Sequence, residues 1–195
     1  MSNRRQRVHG ASAYVLHTTA WRETSLIVQL FSQTHGRVAA VAKGAKRPYS
    51  RLKAVLMSFQ ALEVGWTGSG EVKTLTSAEL LHIHPLPGPV LLSAWYLNEL
   101  LLYMLPKEDA YPDLFSTYQE TLFALHDASG QIAPILRRFE WILLQETGYG
   151  LEGSMPSLTQ FAQDGRLRQQ LHHRLDELLS RPLRTRQVLR ELHQL

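Results

Sequence analysis

At 195 residues, with 44% apolar and 19% charged residues, the chain reads as a globular protein of one large or two small domains, each able to bury a core. It has no cysteine, which excludes a disulfide framework and a thiolate zinc site and makes a reducing cytoplasm its natural compartment. The net charge of +4 is uneven: residues 1–80 carry 11 Lys and Arg against 4 Asp and Glu, whereas the remainder carries 10 against 13.

The opening MSNRRQRVHG holds a short basic arm of Arg4, Arg5 and Arg7 and is followed by no apolar run of the kind a secretion signal needs. Strands are expected at Ala13–Thr18, Ser25–Phe31 and Arg37–Ala42, from their apolar, β-rich character, with SQTHG as a turn between the second and third. KGAKRPYSRLK, broken by Gly44 and Pro48, reads as an exposed loop, and Ala54–Trp66 as a fourth strand. A turn at Thr67–Gly70 leads to an alternating fifth strand at Glu71–Ala78. Five strands in so short a stretch suit a small closed barrel of the OB-fold type.

HIHPLPGP, residues 82–89, is a proline-rich connection, so an OB-fold nucleic-acid-binding domain is expected over 1–81 and a helical domain over 82–195. The class is thus α+β, a five-stranded barrel followed by an all-α domain. Val90–Leu105 is apolar nearly all round, which marks a central buried helix. It is too short to span a bilayer comfortably. Tyr111–Leu125 and Ile132–Thr147 show apolar residues at helical spacing, and Gly148 supplies a stop. Residues 151–165 look like a loop, Arg166–Ser180 like a helix with Leu167, Leu171, Leu175 and Leu178 on one face, and Leu183–Leu195 like a last short helix.

The stretch with most chemical content is Arg37–Lys53. It places Arg37, Lys43, Lys46, Arg47, Arg51 and Lys53 within 17 residues, and no acid occurs between Glu23 and Glu63. Cations without acidic neighbours set up a positive potential that draws polyanions, of which nucleic acid is the commonest in a cell. In a nucleic-acid groove such cations track phosphates, and Tyr49 within the loop offers a base a stacking platform. The bland readings are a solvated basic loop and a surface tyrosine. Arg22 and Lys73 extend the patch, although Glu23 and Glu71 stand close in sequence and make a surface ion pair the alternative. His82 and His84 form an H-x-H pair with no third ligand in view, so no metal is expected. The phosphate-binding and hydrolase motifs G-x-x-x-x-G-K-[ST], G-x-G-x-x-G, H-E-x-x-H and G-x-S-x-G are absent, and the basic half has few carboxylates. No catalytic residue and no cofactor are expected.

Six motifs occur in a fixed order: E-T-S-L from Glu23, G-R-V from Gly36, A-K-G-A from Ala42, E-V-K-T-L from Glu71, N-E-L-L from Asn98 and L-R-R-F-E from Leu136. With them the chain resembles the bacterial recombination-mediator family RecO over residues 11–152, with a weaker match in LRTRQVLREL near the C-terminus. The resemblance implies a cytoplasmic, nucleoid-associated, non-enzymatic protein with an N-terminal OB-fold and a helical domain. Such a protein binds single- and double-stranded DNA and anneals complementary strands. The implied partners are RecR, the C-terminal tail of single-stranded DNA-binding protein and, indirectly, RecA; no membrane is implied. Some members carry a four-cysteine zinc site after the GYG turn, but here that region is short and has no cysteine.

On the L-R-R-F-E match, Arg137 and Arg138 become candidates for gripping the carboxylate of that acidic tail, a guanidinium fork being suited to a terminal carboxylate. The competing reading is an intrahelical pair such as Arg137 with Glu140. The C-terminal arginines, Arg166, Arg168, Arg174, Arg181, Arg184, Arg186 and Arg190, are either a solvated face or a second DNA surface. An OB-fold RNA-binding module remains the alternative function.

Overall fold

The computed structural model describes residues 7–127 and 131–192, the backbone alone for 189–192. The chain divides into two compact units. One runs to His84 and takes in Leu105–Pro112, and the other comprises Pro85–Met104 and the chain from Asp113 onward.

The first unit is a closed five-stranded barrel in the order β1-β2-β3-β5-β4. Its strands are β1 (Arg7–Trp21), β2 (Ser25–Ser32), β3 (Gly36–Ala42), β4 (Gln60–Thr67) and β5 (Val72–Ile83). All pairings are antiparallel except β3 with β5, which run parallel from Ala39↔Val72 to Val41↔Thr74. This is the expected OB-fold arrangement within an α+β chain. Closure depends on β1, which pairs with β4 through its first half and with β2 through its second. Such a strand must bend, and two register shifts supply the bend: one between Val8 and Ala11 around Gly10, at φ 64, and one between Val15 and His17. Inward residues, among them Val15, Val28, Leu30, Val38, Leu62, Val64 and Trp66, form a single core. Each large apolar side chain so buried stabilises the fold by about 1.5–3 kcal/mol.

The fourth strand begins later than expected. Residues Arg51–Val55 form α1, a single helical turn entered from Ser50 in extended conformation. Leu52, Val55 and Leu56 recur at helical spacing and pack on the barrel core, and that packing decides between helix and strand for an ambiguous apolar run.

The barrel owns a further piece. Leu105–Pro112 lies against the starts of β3 and β5: Lys107 bridges Arg37 in parallel, and the Glu108 N–H donates to the Arg37 carbonyl at 3.0 Å. Gly36, at φ 62, is where this segment comes closest, since a Cβ there would lie 1.7 Å from the Asp109 carbonyl oxygen. Only glycine fits such a site.

The second unit consists of α2 (Gly88–Met104), α3 (Pro112–His126), α4 (Ile132–Glu146), α5 (Leu158–Gln163), α6 (Gly165–Leu178) and α7 (Arg184–Leu192). In α2 every residue from Tyr96 to Leu101 is buried, as an apolar-all-round helix should be. Its polar members are satisfied inside the unit. Tyr118 donates to Asn98 Oδ1 at 2.6 Å, and Glu99 accepts the first N–H groups of α7, from Arg184 at 2.8 Å and Thr185 at 3.0 Å. Within the expected loop 151–165, Ser157 and Gln160 build a reciprocal capping box that starts α5, and buried Phe161 holds the helix in place.

Candidate nucleic-acid interface

The basic loop after β3 is fixed by an apolar peg and by hydrogen bonds to the β1–β2 turn. Ala45 is fully buried in the barrel core, Gly44 takes the left-handed turn conformation at φ 70, and Arg47 N–H closes on the Gly44 carbonyl at 3.0 Å. Lys46 then reaches across: its N–H donates to the Thr24 carbonyl at 2.8 Å, and its ammonium lies 3.4 Å from the Arg22 carbonyl. Arg22 is held at φ 51, a conformation uncommon for a non-glycine residue. The loop and the turn thereby form the walls of an open groove of about 570 Å³.

Arg22, Lys43 and Arg47 line this groove, Glu23 is its carboxylate, and Trp21 supplies an aromatic wall. Lys46, Arg51 and Lys53 are exposed nearby in sequence, and Tyr49 stands fully exposed at the loop tip with φ 63. Among the described residues, no carboxylate lies within ion-pair distance of Arg22, Lys43, Lys46, Arg47, Arg51 or Lys53. Sequence reasoning singled out these cations but not Trp21, whose place next to the basic loop follows from pairing of β2 with β3 and from the Lys46 N–H bond to the Thr24 carbonyl, which bring the β1–β2 turn to that loop.

Arg37 and Lys73 are engaged elsewhere, by the 105–112 segment. Arg37 Nε donates to the Leu105 carbonyl at 3.0 Å, and partial burial pushes its pKa below the ordinary arginine value. Lys73 is only 4% exposed and donates to Glu108 at 2.7 Å and to the Gly70 carbonyl at 2.8 Å. Glu108 is thus its carboxylate partner, rather than the Glu71 suggested by proximity in sequence. Glu71 pairs with Lys107 at 2.6 Å.

In the helical unit, Arg137 is 11% exposed and pairs with Glu140, itself completely buried, at 2.9 Å. Glu140 also accepts from Tyr96 Oη at 2.6 Å, Arg137 touches His172, and Arg186 reaches both Tyr96 Oη at 3.1 Å and Asp176 at 2.6 Å. Burial, reinforced by the Glu140 charge, pushes the Tyr96 phenol well above its ordinary pKa. Arg138 is less enclosed and lies 3.5 Å from Glu120. Of the C-terminal arginines, Arg174 pairs with Glu177 and Arg181 stacks on the Tyr103 ring at 4.1 Å, while Arg166, Arg168 and Arg184 are exposed. Arg4 and Arg5, and the Arg190 side chain, lie outside the described residues. His84 is buried with Nε2 3.1 Å from Tyr14 Oη, and among the described residues no cluster of three metal-ligating side chains occurs. Nor is any described helix long and apolar enough to cross a membrane.

Two family models match the chain in tandem: recombination protein O N terminal over residues 7–84, and recombination protein O C terminal over residues 89–167. The chain belongs to the RecO family. The first RecO match runs the length of the barrel, groove included. Among RecO relatives, the DNA repair protein RecO of Aromatoleum aromaticum is 53% identical over 150 residues, 76% of this chain and 62% of the relative. That of Azoarcus sp. is 51% identical over 149 residues, 76% and 61% respectively. The RecO of Cupriavidus metallidurans is 53% identical over 147 residues, 74% and 49%. The chain therefore spans 49–62% of the length of these RecO relatives.

Proposed function

We propose that this RecO-family chain is a non-enzymatic DNA-repair mediator that binds DNA through the groove between the β1–β2 turn and the basic loop. The observation that carries the reading is the set of exposed cations, Arg22, Lys43, Lys46, Arg47, Arg51 and Lys53, none with a carboxylate partner among the described residues. Cations held free of acids displace the counterions condensed on DNA phosphates, which gives affinity without base readout. Neutralising phosphates on two strands lowers their mutual repulsion, and pairing can then begin. Single- and double-stranded DNA are both ligands in this reading.

The partners proposed are RecR, the C-terminal tail of single-stranded DNA-binding protein and, through them, RecA, in the cytoplasm around the nucleoid. For the tail, Arg138 is the more available fork, since Arg137 is already committed to Glu140. Arg138→Ala should weaken tail-peptide binding and leave binding to naked DNA intact; equal loss of both removes the separation of roles.

The test of the main reading is charge reversal of Lys43, Lys46 and Arg47 to Glu, followed by strand-annealing and binding assays on a variant whose circular dichroism is unchanged. Both DNA activities should fail. Retention of either removes the groove as the DNA site, and RNA competing as well as DNA would favour an RNA-binding module instead.

A further inference from the structure

We infer that Trp21 is the base-stacking platform of the groove and makes it selective for single strands; this deepens the proposed DNA-binding reading and rests on it. Trp21 is the last residue of β1 and is 43% exposed. It lines the groove beside Arg22, Lys43 and Arg47. The Arg22 guanidinium lies 6.0 Å from the Trp21 ring centroid. A planar cation beside an indole is a pair that accepts an unstacked base, by stacking on the ring and by cation–π attraction to the guanidinium.

The pair is built into the barrel on both sides. Strand pairing to Ser25 sets the Trp21 backbone, and the Lys46 ammonium contact with the Arg22 carbonyl supports the left-handed backbone at Arg22. Tyr49 has none of this support: it is fully exposed and does not line the groove. Trp21 is less exposed than Tyr49 and already lines the groove beside a guanidinium, so it loses less freedom on stacking and is the better platform.

Selectivity follows from what each form of DNA offers. In a duplex the base faces are covered by their neighbours, and only phosphates reach the groove. A single strand presents both phosphates and open π-faces, and every base has one, so the preference is for strandedness and not for sequence.

The experiment measures affinity for an oligo-dT single strand and for a hairpin duplex of equal charge, by fluorescence anisotropy, with Trp21→Ala, Trp21→Phe and Tyr49→Ala. Trp21→Ala should weaken single-strand binding about tenfold, while duplex binding stays within about twofold. Trp21→Phe, which keeps a ring, should lose about threefold or less on single strands. In the unaltered chain, single-strand binding should quench tryptophan emission, and Trp21→Phe should abolish most of that quenching, which keeps the test alive if the alanine variant folds poorly. Equal losses on both DNA forms, undiminished single-strand binding by Trp21→Ala, or a single-strand loss appearing only in Tyr49→Ala would each overturn the assignment. Failure of the underlying reading looks different: Lys43→Gln with Arg47→Gln would then leave both affinities unchanged.

Discussion

Neutralising two groove cations should change the salt dependence of DNA binding by a calculable amount. Each phosphate contacted by a cation adds roughly −0.7 to the slope of log affinity against log salt for single strands, so six contacts imply about −4. The six are Arg22, Lys43, Lys46, Arg47, Arg51 and Lys53, all exposed. Lys43→Gln with Arg47→Gln removes two wall residues of the groove and should bring the slope to roughly −3, a change of about 1.4. At about 0.1 M monovalent salt this is a loss of about 25-fold, or about 1.9 kcal/mol, and at about 0.3 M it shrinks to about fivefold. The assay is anisotropy of a labelled oligonucleotide across a salt series. Lys107→Gln is the matched control: that lysine is already paired with Glu71 at 2.6 Å, so its removal should leave the slope unchanged. If the double variant keeps the slope of the parent, the groove cations do not contact phosphate and the electrostatic account is refuted.

Gly36→Ala should destabilise the barrel by about 2–4 kcal/mol in urea denaturation, because the left-handed backbone is strained and the new methyl meets the Asp109 backbone; an unchanged midpoint would contradict the close approach. Arg137→Ala should cost the helical unit about 3–5 kcal/mol by removing the guanidinium paired with the buried Glu140 carboxylate, which among the described residues keeps only its hydrogen bond from Tyr96, and adding Glu140→Gln should recover part of that loss. A tail-peptide result with Arg137→Ala alone is therefore interpretable only beside a melting curve. Burial pushes the Tyr14 phenol up from 10.0 to about 12. The folded state then holds its proton more tightly than the unfolded chain, so the Tyr14 contribution to stability is whole below pH 10 and is lost as pH rises towards about 12. Tyr14→Phe should flatten this alkaline decline, as read by thermal melts across the pH range.

The barrel was largely legible because its strands are short apolar, β-rich runs set off by turns, with alternation in the fifth, and these are local signals. The Gly44–Pro48 interruption likewise marked the basic loop correctly as exposed. Two short helices were read differently although their signals were local too: Leu52, Val55 and Leu56 at helical spacing for α1, and Ser157 with Gln160 for α5. What could not be read locally was which cations are already taken. Arg37 and Lys73 belong to the basic stretch by composition, yet their partners Leu105 and Glu108 come from 68 and 35 residues away. Unpaired charge is a property of the fold, and composition only bounds it. Trp21 escaped notice for the same reason, since β2–β3 pairing and the Lys46 bond to Thr24, neither local in sequence, bring the turn that carries it to the basic loop.

The barrel's ownership of Leu105–Pro112 bears on how this chain can be dissected in the laboratory. A gene fragment ending at residue 84 would encode all five strands and still omit a component of the same unit, leaving the Gly36 notch uncovered and the Lys73 ammonium without its carboxylate. An isolated-barrel expression plan should therefore graft those eight residues back through a designed linker, or supply them as a peptide and ask whether the fragment gains protection from protease.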